Sequence, residues 1–359
     1  MINEKTWKRA LLSPLGSIED AIKILIDSSL RIVLIADSDF KLVGTVTDGD
    51  IRRGLLRGLT LSSSISEVIN QNPIIVPKNF TREVVSNMMS TNRVFQIPIV
   101  DEDLKLVGLH VWEDQSASTV RDNVMVIMAG GRGTRLLPKT EKTPKPMLLL
   151  GGKPILEHII NRAKAAGIME FVLAIHHLGE VIEEYFGNGQ FLGVNISYIK
   201  EKSPLGTAGA LGLIDPKPTK PIIVANGDVI TDIRFGDILE FHSQNDAMAT
   251  MAVQVYESEN PFGVVQTKGI SITGYEEKPI IRSLVNAGVY VLNPSALDFL
   301  EKDEACSMPT LFEILRAESL NTIAFPLHEN WLDLGSPSDL AKAIEEIQSN
   351  KKQESKSND

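Results

Sequence analysis

One cysteine, Cys306, stands in 359 residues, so an intramolecular disulfide is excluded and the chain suits a reducing compartment. Excess positive charge is also missing. With 36 Lys and Arg against 46 Asp and Glu, the formal net charge is -10, and no basic stripe is clustered along the chain to meet a nucleic-acid backbone. No apolar run approaches the ~20 residues that cross a bilayer. Met1-Ile2-Asn3-Glu4-Lys5 lacks the charged and apolar regions of a signal peptide. The sequence therefore reads as cytoplasmic, with neither nucleic acid nor membrane as a partner. Hydrophobic residues make up 43% and charged residues 23%, an ordinary balance for a folded chain, and the length suits two or three domains.

The apolar run Val124 to Met128 predicts a buried strand, and it empties into Ala129-Gly130-Gly131-Arg132-Gly133-Thr134-Arg135, with Lys145-Pro146 ten residues later. Three glycines let a backbone approach an anion closely, and Arg132, Arg135 and Lys145 add positive charge that a neutral turn would not need. Two familiar phosphate loops are absent. Thr134-Arg135 follows Gly133 where a Walker loop has Lys and then Ser or Thr, and Leu136 stands where a dinucleotide fingerprint has its third glycine. ATPase and dehydrogenase readings lose ground accordingly.

A weak repeat occupies the first third. Leu42-Val43-Gly44-Thr45-Val46-Thr47-Asp48-Gly49-Asp50 returns loosely as Leu106 to Asp114, a spacing of 64 residues. Each copy follows a helix-like segment (Ile18 to Ser28; Thr81 to Ser90), a β-branched strand and an acidic turn. Such repetition predicts two similar units that bury a face against each other. The pattern resembles a tandem pair of CBS domains. That resemblance implies an adenine nucleotide whose ribose falls to Asp50, with Thr47 on the phosphate side and Asp114 as the matching position of the second copy. The same carboxylates would also serve as caps of the helices that follow.

Polar residues 115 to 122 read as the connection, which gives a CBS pair at 1–118, a linker at 119–122, a second domain at 123–349 and a disordered tail at 350–359. Strands alternate with helices in the second domain, so the fold class is α/β, with a Rossmann-like, mostly parallel mixed sheet covered by helices on both faces. Ligands of such sheets gather at the carboxyl ends of the strands. Asn226-Gly227-Asp228 falls at one of these ends, and Trp331-Leu332-Asp333-Leu334-Gly335 offers a second isolated carboxylate. Two carboxylates beside a phosphate loop suit Mg²⁺.

From Val124 to about Glu345 the chain resembles the sugar-1-phosphate nucleotidyltransferases. The motifs that carry this are Gly130 to Leu136 with Pro144-Lys145-Pro146, Pro204-Leu205-Gly206-Thr207-Ala208-Gly209-Ala210, Asn226-Gly227-Asp228, Phe262-Gly263-Val264-Val265, Glu277-Lys278-Pro279, Asn286-Ala287-Gly288 and Trp331 to Gly335, in the family's order. The resemblance implies that Ala129, Gly130, Gly131, Gly133 and Thr134 cradle a triphosphate, with Gly206 and Thr207 at the base and ribose. Arg135 would stabilise the transferring phosphoryl and the leaving pyrophosphate, and Lys145 would bridge the two reacting phosphates. Asp228 and Asp333 would hold Mg²⁺. Gly263, Glu277, Asn286 and Gly288 would hold the sugar, and Lys278 its phosphate. A CBS pair ahead of such a domain is similar to guanylyltransferases that make GDP-linked sugars for surface glycans or nonulosonic acids, which implies GTP, a sugar 1-phosphate and a homo-oligomer. Uridylyl or thymidylyl transfer, or an inactive regulatory homologue, stays open at this point.

Overall fold

Ser17 accepts the Asp20 backbone N–H while the Asp20 carboxylate accepts the N–H of Ser17, and this reciprocal box starts helix α1, Ile18–Ser28. Thr47 and Asp50 do the same for α2, Asp48–Leu56. The computed structural model describes residues 7–92, 94–112, 120–337 and 339–340. Asp114, the first linker residue (119) and the tail from residue 350 lie outside them. The chain divides into two compact units, Met1–Ala117 and Ser118–Asp359.

The first unit holds two copies of one small sheet. Strands β1 (Leu11–Leu12), β2 (Ile32–Ala36) and β3 (Leu42–Thr47) form the first, and β4 (Val76–Pro77), β5 (Gln96–Val100) and β6 (Leu106–Val111) form the second, where α3 (Arg82–Asn92) is the counterpart of α1. In each, the outer pair is parallel and the hairpin antiparallel. The 64-residue spacing recurs in detail: Asp37 Oδ1 accepts the N–H groups of Asp39 and Lys41, and Asp101 Oδ1 those of Asp103 and Lys105. The two hairpin turns then pair with each other through Leu42 N–H to Leu104 O and Leu106 N–H to Phe40 O. Ile32 and Leu34 of the first copy pack with Val100, Leu106 and Leu109 of the second, which is the shared buried face that the repeat predicts.

The second unit is built on strands β7 (Arg121–Met128), β8 (Ile168–Ile175), β9 (Asn195–Lys200), β10 (Ile222–Asn226), β12 (Ala249–Glu259), β15 (Ile280–Leu292) and β16 (Thr322–Leu327), in the spatial order β9-β8-β7-β10-β15-β12-β16. Only β15 runs against its neighbours; the other pairings are parallel. Side chains alternate along β7. Met125 and Ile127 pack on one face with helices α4 (Ile155–Ala165), α5 (Gly179–Phe186) and α7 (Phe235–Gln244). Val126 packs on the other with the short α6 (Gly206–Gly209) and with α8 (Met308–Ala317). Helices thus cover both faces, as the α/β reading expects.

Past Gln254 strand β12 loses contact with β16 and continues with β15 alone as a ribbon. The ribbon leads into a hairpin of β13 (Val264–Lys268) and β14 (Ser271–Glu276). A separate short pair, β11 (Val229–Thr231) with β17 (Trp331–Asp333), lies beside the end of β10. Among the described residues no helix is long and apolar enough to cross a membrane.

Candidate active site

Strands β7 and β10 are parallel and in register from Met125 and Ile223 to Met128 and Asn226, so they end together. The Gly227 N–H donates to Met128 O at 2.9 Å, and a Cβ on Gly227 would stand 2.8 Å from that carbonyl. This close approach brings the loop after β7 against the loop after β10. Strand β8 closes the other side, where Ala174 O accepts the Ala129 N–H at 2.8 Å. At the carboxyl end of these strands lies a cleft of about 400 Å³, lined by residues 128–131, 133–136, 145–146, 201, 204, 206–207, 226–228, 333 and 335. It gathers Ala129, Gly130, Gly131, Gly133, Thr134, Arg135, Lys145, Gly206, Thr207, Asp228 and Asp333 in one place.

The three loop glycines differ in what requires them. Gly133 has a positive φ of 60°, which a side chain resists, and its carbonyl accepts the buried Thr140 hydroxyl at 2.8 Å. At Gly130 a Cβ would meet Glu201 Oε1 at 2.9 Å and His176 Cβ at 3.1 Å. At Gly131 a Cβ would meet nothing within 4 Å, so of the three only this glycine has open space where a side chain would stand.

Lys145 and Asp228 arrive from separate loops, and Lys145 Nζ donates to Asp228 Oδ2 at 2.5 Å. The antiparallel β11/β17 pair sets Val229 opposite Asp333, and the Leu334 N–H donates to Asp228 O at 3.1 Å, so the two carboxylates become neighbours. Burial, reinforced by the Asp228 charge and opposed by Lys145, raises the Asp333 carboxyl above its usual range. Two acidic groups sharing one ammonium leave a net negative charge with hard oxygen donors. That donor set fits a divalent cation such as Mg²⁺, with Asp228 and Asp333 as its protein ligands.

Thr207 has a structural task as well as a place in the cleft, since its Oγ1 accepts the Met308 N–H at the start of α8 (2.8 Å). Gly206 has a φ of 77°, and a Cβ there would stand 2.7 Å from Cys306 O. Two cleft residues with polar side chains have no role in the sequence reading. Glu201 follows β9; its Oε2 accepts the Leu205 N–H at 2.8 Å, and burial raises its carboxyl. Asn226 ends β10, with Oδ1 buried and lacking a hydrogen-bond partner among the described residues. Asn226 is the last residue of β10 and Glu201 the first after β9, and such a place at a strand's carboxyl end is the signal by which a role for either could have been found.

The expected sugar residues divide. Asn286 and Gly288 lie on β15 next to β10: a Cβ on Gly288 would touch Asn226 Nδ2 at 2.7 Å, and Asn286 donates to the buried Tyr290 hydroxyl at 2.8 Å. Gly263, Glu277 and Lys278 lie beside the β13/β14 hairpin, and none of the five expected sugar residues lines the cleft. There Tyr275 donates its hydroxyl to the Glu277 carboxylate. In the first unit, Asp50 accepts both the N–H (2.8 Å) and the hydroxyl (2.7 Å) of Thr47 and pairs with Arg53 at 2.5 Å. The capping role of this pair is therefore present in the structure.

Residues 124–350 match the family described as nucleotidyl transferase, and residues 11–57 and 65–109 each match the CBS domain. A mannose-1-phosphate guanyltransferase of Yarrowia lipolytica is 38% identical over 223 residues, covering 60% of this chain and 61% of the relative. The mannose-1-phosphate guanylyltransferase catalytic subunit beta of Danio rerio is 36% identical over 222 residues, covering 60% and 61%. The chain thus spans about 61% of the length of these curated relatives. Among solved structures, HddC from Yersinia pseudotuberculosis shares the fold with a TM-score of 0.50 at 24% identity, covering 63% of this chain and 99% of that one.

Proposed function

The chain belongs to the nucleotidyl transferase family and carries a CBS pair ahead of the family domain, and on that premise we propose that it transfers a nucleoside monophosphate from a nucleoside triphosphate to a sugar 1-phosphate. The observation that carries the proposal is one cleft in which the glycine loop, Arg135 and Lys145 face the carboxylate pair Asp228 and Asp333. A phosphate oxygen of the sugar 1-phosphate attacks the α-phosphorus in line; the bond from that phosphorus to the β-phosphate bridging oxygen breaks, and pyrophosphate leaves with the electron pair. No proton and no covalent enzyme intermediate is needed. Two anions must meet, so the protein's work is positioning and charge neutralisation.

The backbone of Ala129 to Thr134 would hold the triphosphate. Arg135 would sit at the transferring and leaving groups, and Lys145 would exchange its contact with Asp228 for the two reacting phosphates. A magnesium ion held by Asp228 and Asp333 would supply a Lewis acid for the α-phosphate and its leaving group. Asn286 and Gly288, with Gly263, Glu277 and Lys278 from the hairpin, would bind the sugar phosphate. The names of the relatives support GTP as donor and a hexose 1-phosphate such as mannose 1-phosphate as acceptor, in the supply of nucleotide sugars for glycans. The CBS pair would serve as an adenine-nucleotide sensor or an oligomerisation module. An inactive homologue has no chemical need to keep Arg135, Lys145, Asp228 and Asp333 together.

A matrix of nucleoside triphosphates against sugar 1-phosphates, read by pyrophosphate release with and without Mg²⁺, tests the proposal. Release that requires the triphosphate, the sugar 1-phosphate and the metal is expected. A matrix with no pyrophosphate in any well contradicts it.

A further inference from the structure

The β13/β14 hairpin carries a side-chain arrangement that the transfer chemistry does not use. Strand pairing sets Val265 opposite Tyr275 and Val264 opposite Glu276, so Gly263, two positions before Val265, is the diagonal neighbour that an aromatic ring at 275 can reach. Tyr275 and Glu277 are also two positions apart, and the alternation of an extended chain turns them to the same side. Asn260 ties the base of the hairpin: its N–H donates to Pro279 O at 3.0 Å, and its Oδ1 accepts the Phe262 N–H at 3.0 Å.

Tyr275 reaches across Gly263 and donates its hydroxyl to Glu277 Oε2. A Cβ on Gly263 would overlap that hydroxyl and stand 2.6 Å from Cζ and 2.8 Å from Cε2 of the ring. No positive φ requires a glycine at 263, so the ring is what excludes a side chain there. Glu277 is exposed, and among the described residues its carboxylate has no other hydrogen-bond or ionic partner. A loose surface glutamate samples many rotamers, and binding through it costs the entropy of ordering them. One bond to Oε2 removes much of that freedom and leaves the lone pairs of Oε1 open.

We propose that Tyr275 is a positioning residue for the sugar: its hydroxyl fixes Oε2 of Glu277 so that Oε1 is presented to a hydroxyl of the sugar 1-phosphate. The inference rests on the nucleotidyl-transfer reading, in which Glu277 meets the sugar. A carboxylate repels phosphate and accepts from hydroxyl groups, so it is the polyol end of this substrate that it holds. Gly263 then serves the sugar indirectly, by leaving room for the ring. Tyr275 acts through Glu277 and needs no contact of its own with the reacting atoms.

The test uses the full chain with Tyr275→Phe, which keeps the ring and removes the donor, with Gly263→Ala, which displaces the ring, and with Glu277→Ala. The KM for mannose 1-phosphate is measured at saturating GTP with Mg²⁺, beside kcat and the KM for GTP. Tyr275→Phe should raise the KM for mannose 1-phosphate about 3- to 10-fold, the range expected for immobilising one long side chain, with kcat and the KM for GTP within about twofold of wild type. Gly263→Ala should reproduce this, and the two together should raise KM no further than either alone. In the Glu277→Ala background Tyr275→Phe should have no effect, because no carboxylate is left to position. An unchanged KM in Tyr275→Phe while Glu277→Ala raises it, or an equal rise from Tyr275→Phe with and without Glu277, would overturn the proposal and leave the transfer reading intact. A wild-type KM in Glu277→Ala takes the sugar role from the hairpin, and the proposal falls with it. If the wild type releases no pyrophosphate, the transfer reading fails by itself, and calorimetric binding of mannose 1-phosphate to the same proteins decides the positioning role by the same comparison.

Discussion

Gly130, Gly131 and Gly133 look alike in the sequence, yet the space around each predicts a different response to alanine. Gly131→Ala meets nothing within 4 Å, so the free protein should keep its stability while triphosphate binding weakens, a split readable by comparing Tm with KM. Gly133→Ala forces a side chain into a φ of 60° and pushes on Thr140 and on Lys145 Cβ, 3.1 and 3.2 Å away; a loss of about 1 kcal/mol and a lower kcat are expected together. Lys145→Ala and Asp228→Ala each remove half of the ion pair at the reacting end, and pyrophosphate release should fall by about 100-fold or more. Near-normal turnover in either variant would contradict the roles given to them. An anion site was legible from the glycines and basic residues alone. That Gly130 makes room for Glu201 was not, because the two are 71 positions apart and meet only when β8 and β9 join the sheet.

The elements most legible in the sequence are those whose ends are fixed locally. The Ser17 and Asp20 box puts α1 at Ile18, and the strands β7, β8 and β10 contain apolar runs (124–128, 171–175 and 222–225) that are mostly buried on both faces. Elements whose limits depend on distant partners escaped. The segment from Gly206 to Leu213 is a single turn of α-helix followed by the 3-10 turn Ala210–Leu213, held by Ala208 and Gly209 N–H groups donating to Cys306 O. Strand β15 begins at Ile280, ahead of its buried run from Ala287 to Leu292, because its first half pairs with the outlying part of β12. That half has exposed side chains and no buried face to set a pattern. Helix α8 begins with Ser307 and Pro309, ordinary start signals, and its first turn is completed by Thr207 from 101 positions away.

Helix α7 also carries a titration. His242 is buried with Nδ1 2.8 Å from the Thr250 hydroxyl, and Nε2 has no hydrogen-bond partner among the described residues. Burial pushes its pKa down to about 4 from an ordinary 6.5. The folded state therefore favours neutral imidazole, and the stability this gives is present above pH 6.5 and lost as the pH falls toward 4. By pH ~5 the loss should be on the order of 2 kcal/mol. His242→Phe should flatten this part of the Tm profile, and an unchanged acid slope in that variant would assign the loss elsewhere.

For the molecule as a whole, the two units were legible by different means. The first was visible as a 64-residue repeat, and it folds as two matching sheets with a shared apolar face. The second was visible as motifs in a fixed order, of which the glycine loop, Lys145, Gly206 with Thr207, Asp228 and Asp333 meet at the carboxyl ends of the strands, while Gly263, Glu277 and Lys278 stay at the outlying hairpin. The first unit's function is the less constrained, since Asp50 is engaged with Thr47 and Arg53. If the pair is a sensor, AMP or ATP should change the turnover of the full chain; indifference to both would leave it the oligomerisation role.

The central claim is direct transfer of a nucleotidyl group to a sugar phosphate, and GTP labelled at the α-phosphorus tests it most directly. Incubated with Mg²⁺ and mannose 1-phosphate, the label should appear in a nucleotide sugar, with unlabelled pyrophosphate formed in equal amount and none bound to protein. Label on the protein, or label in free GMP with no nucleotide sugar, would contradict the account.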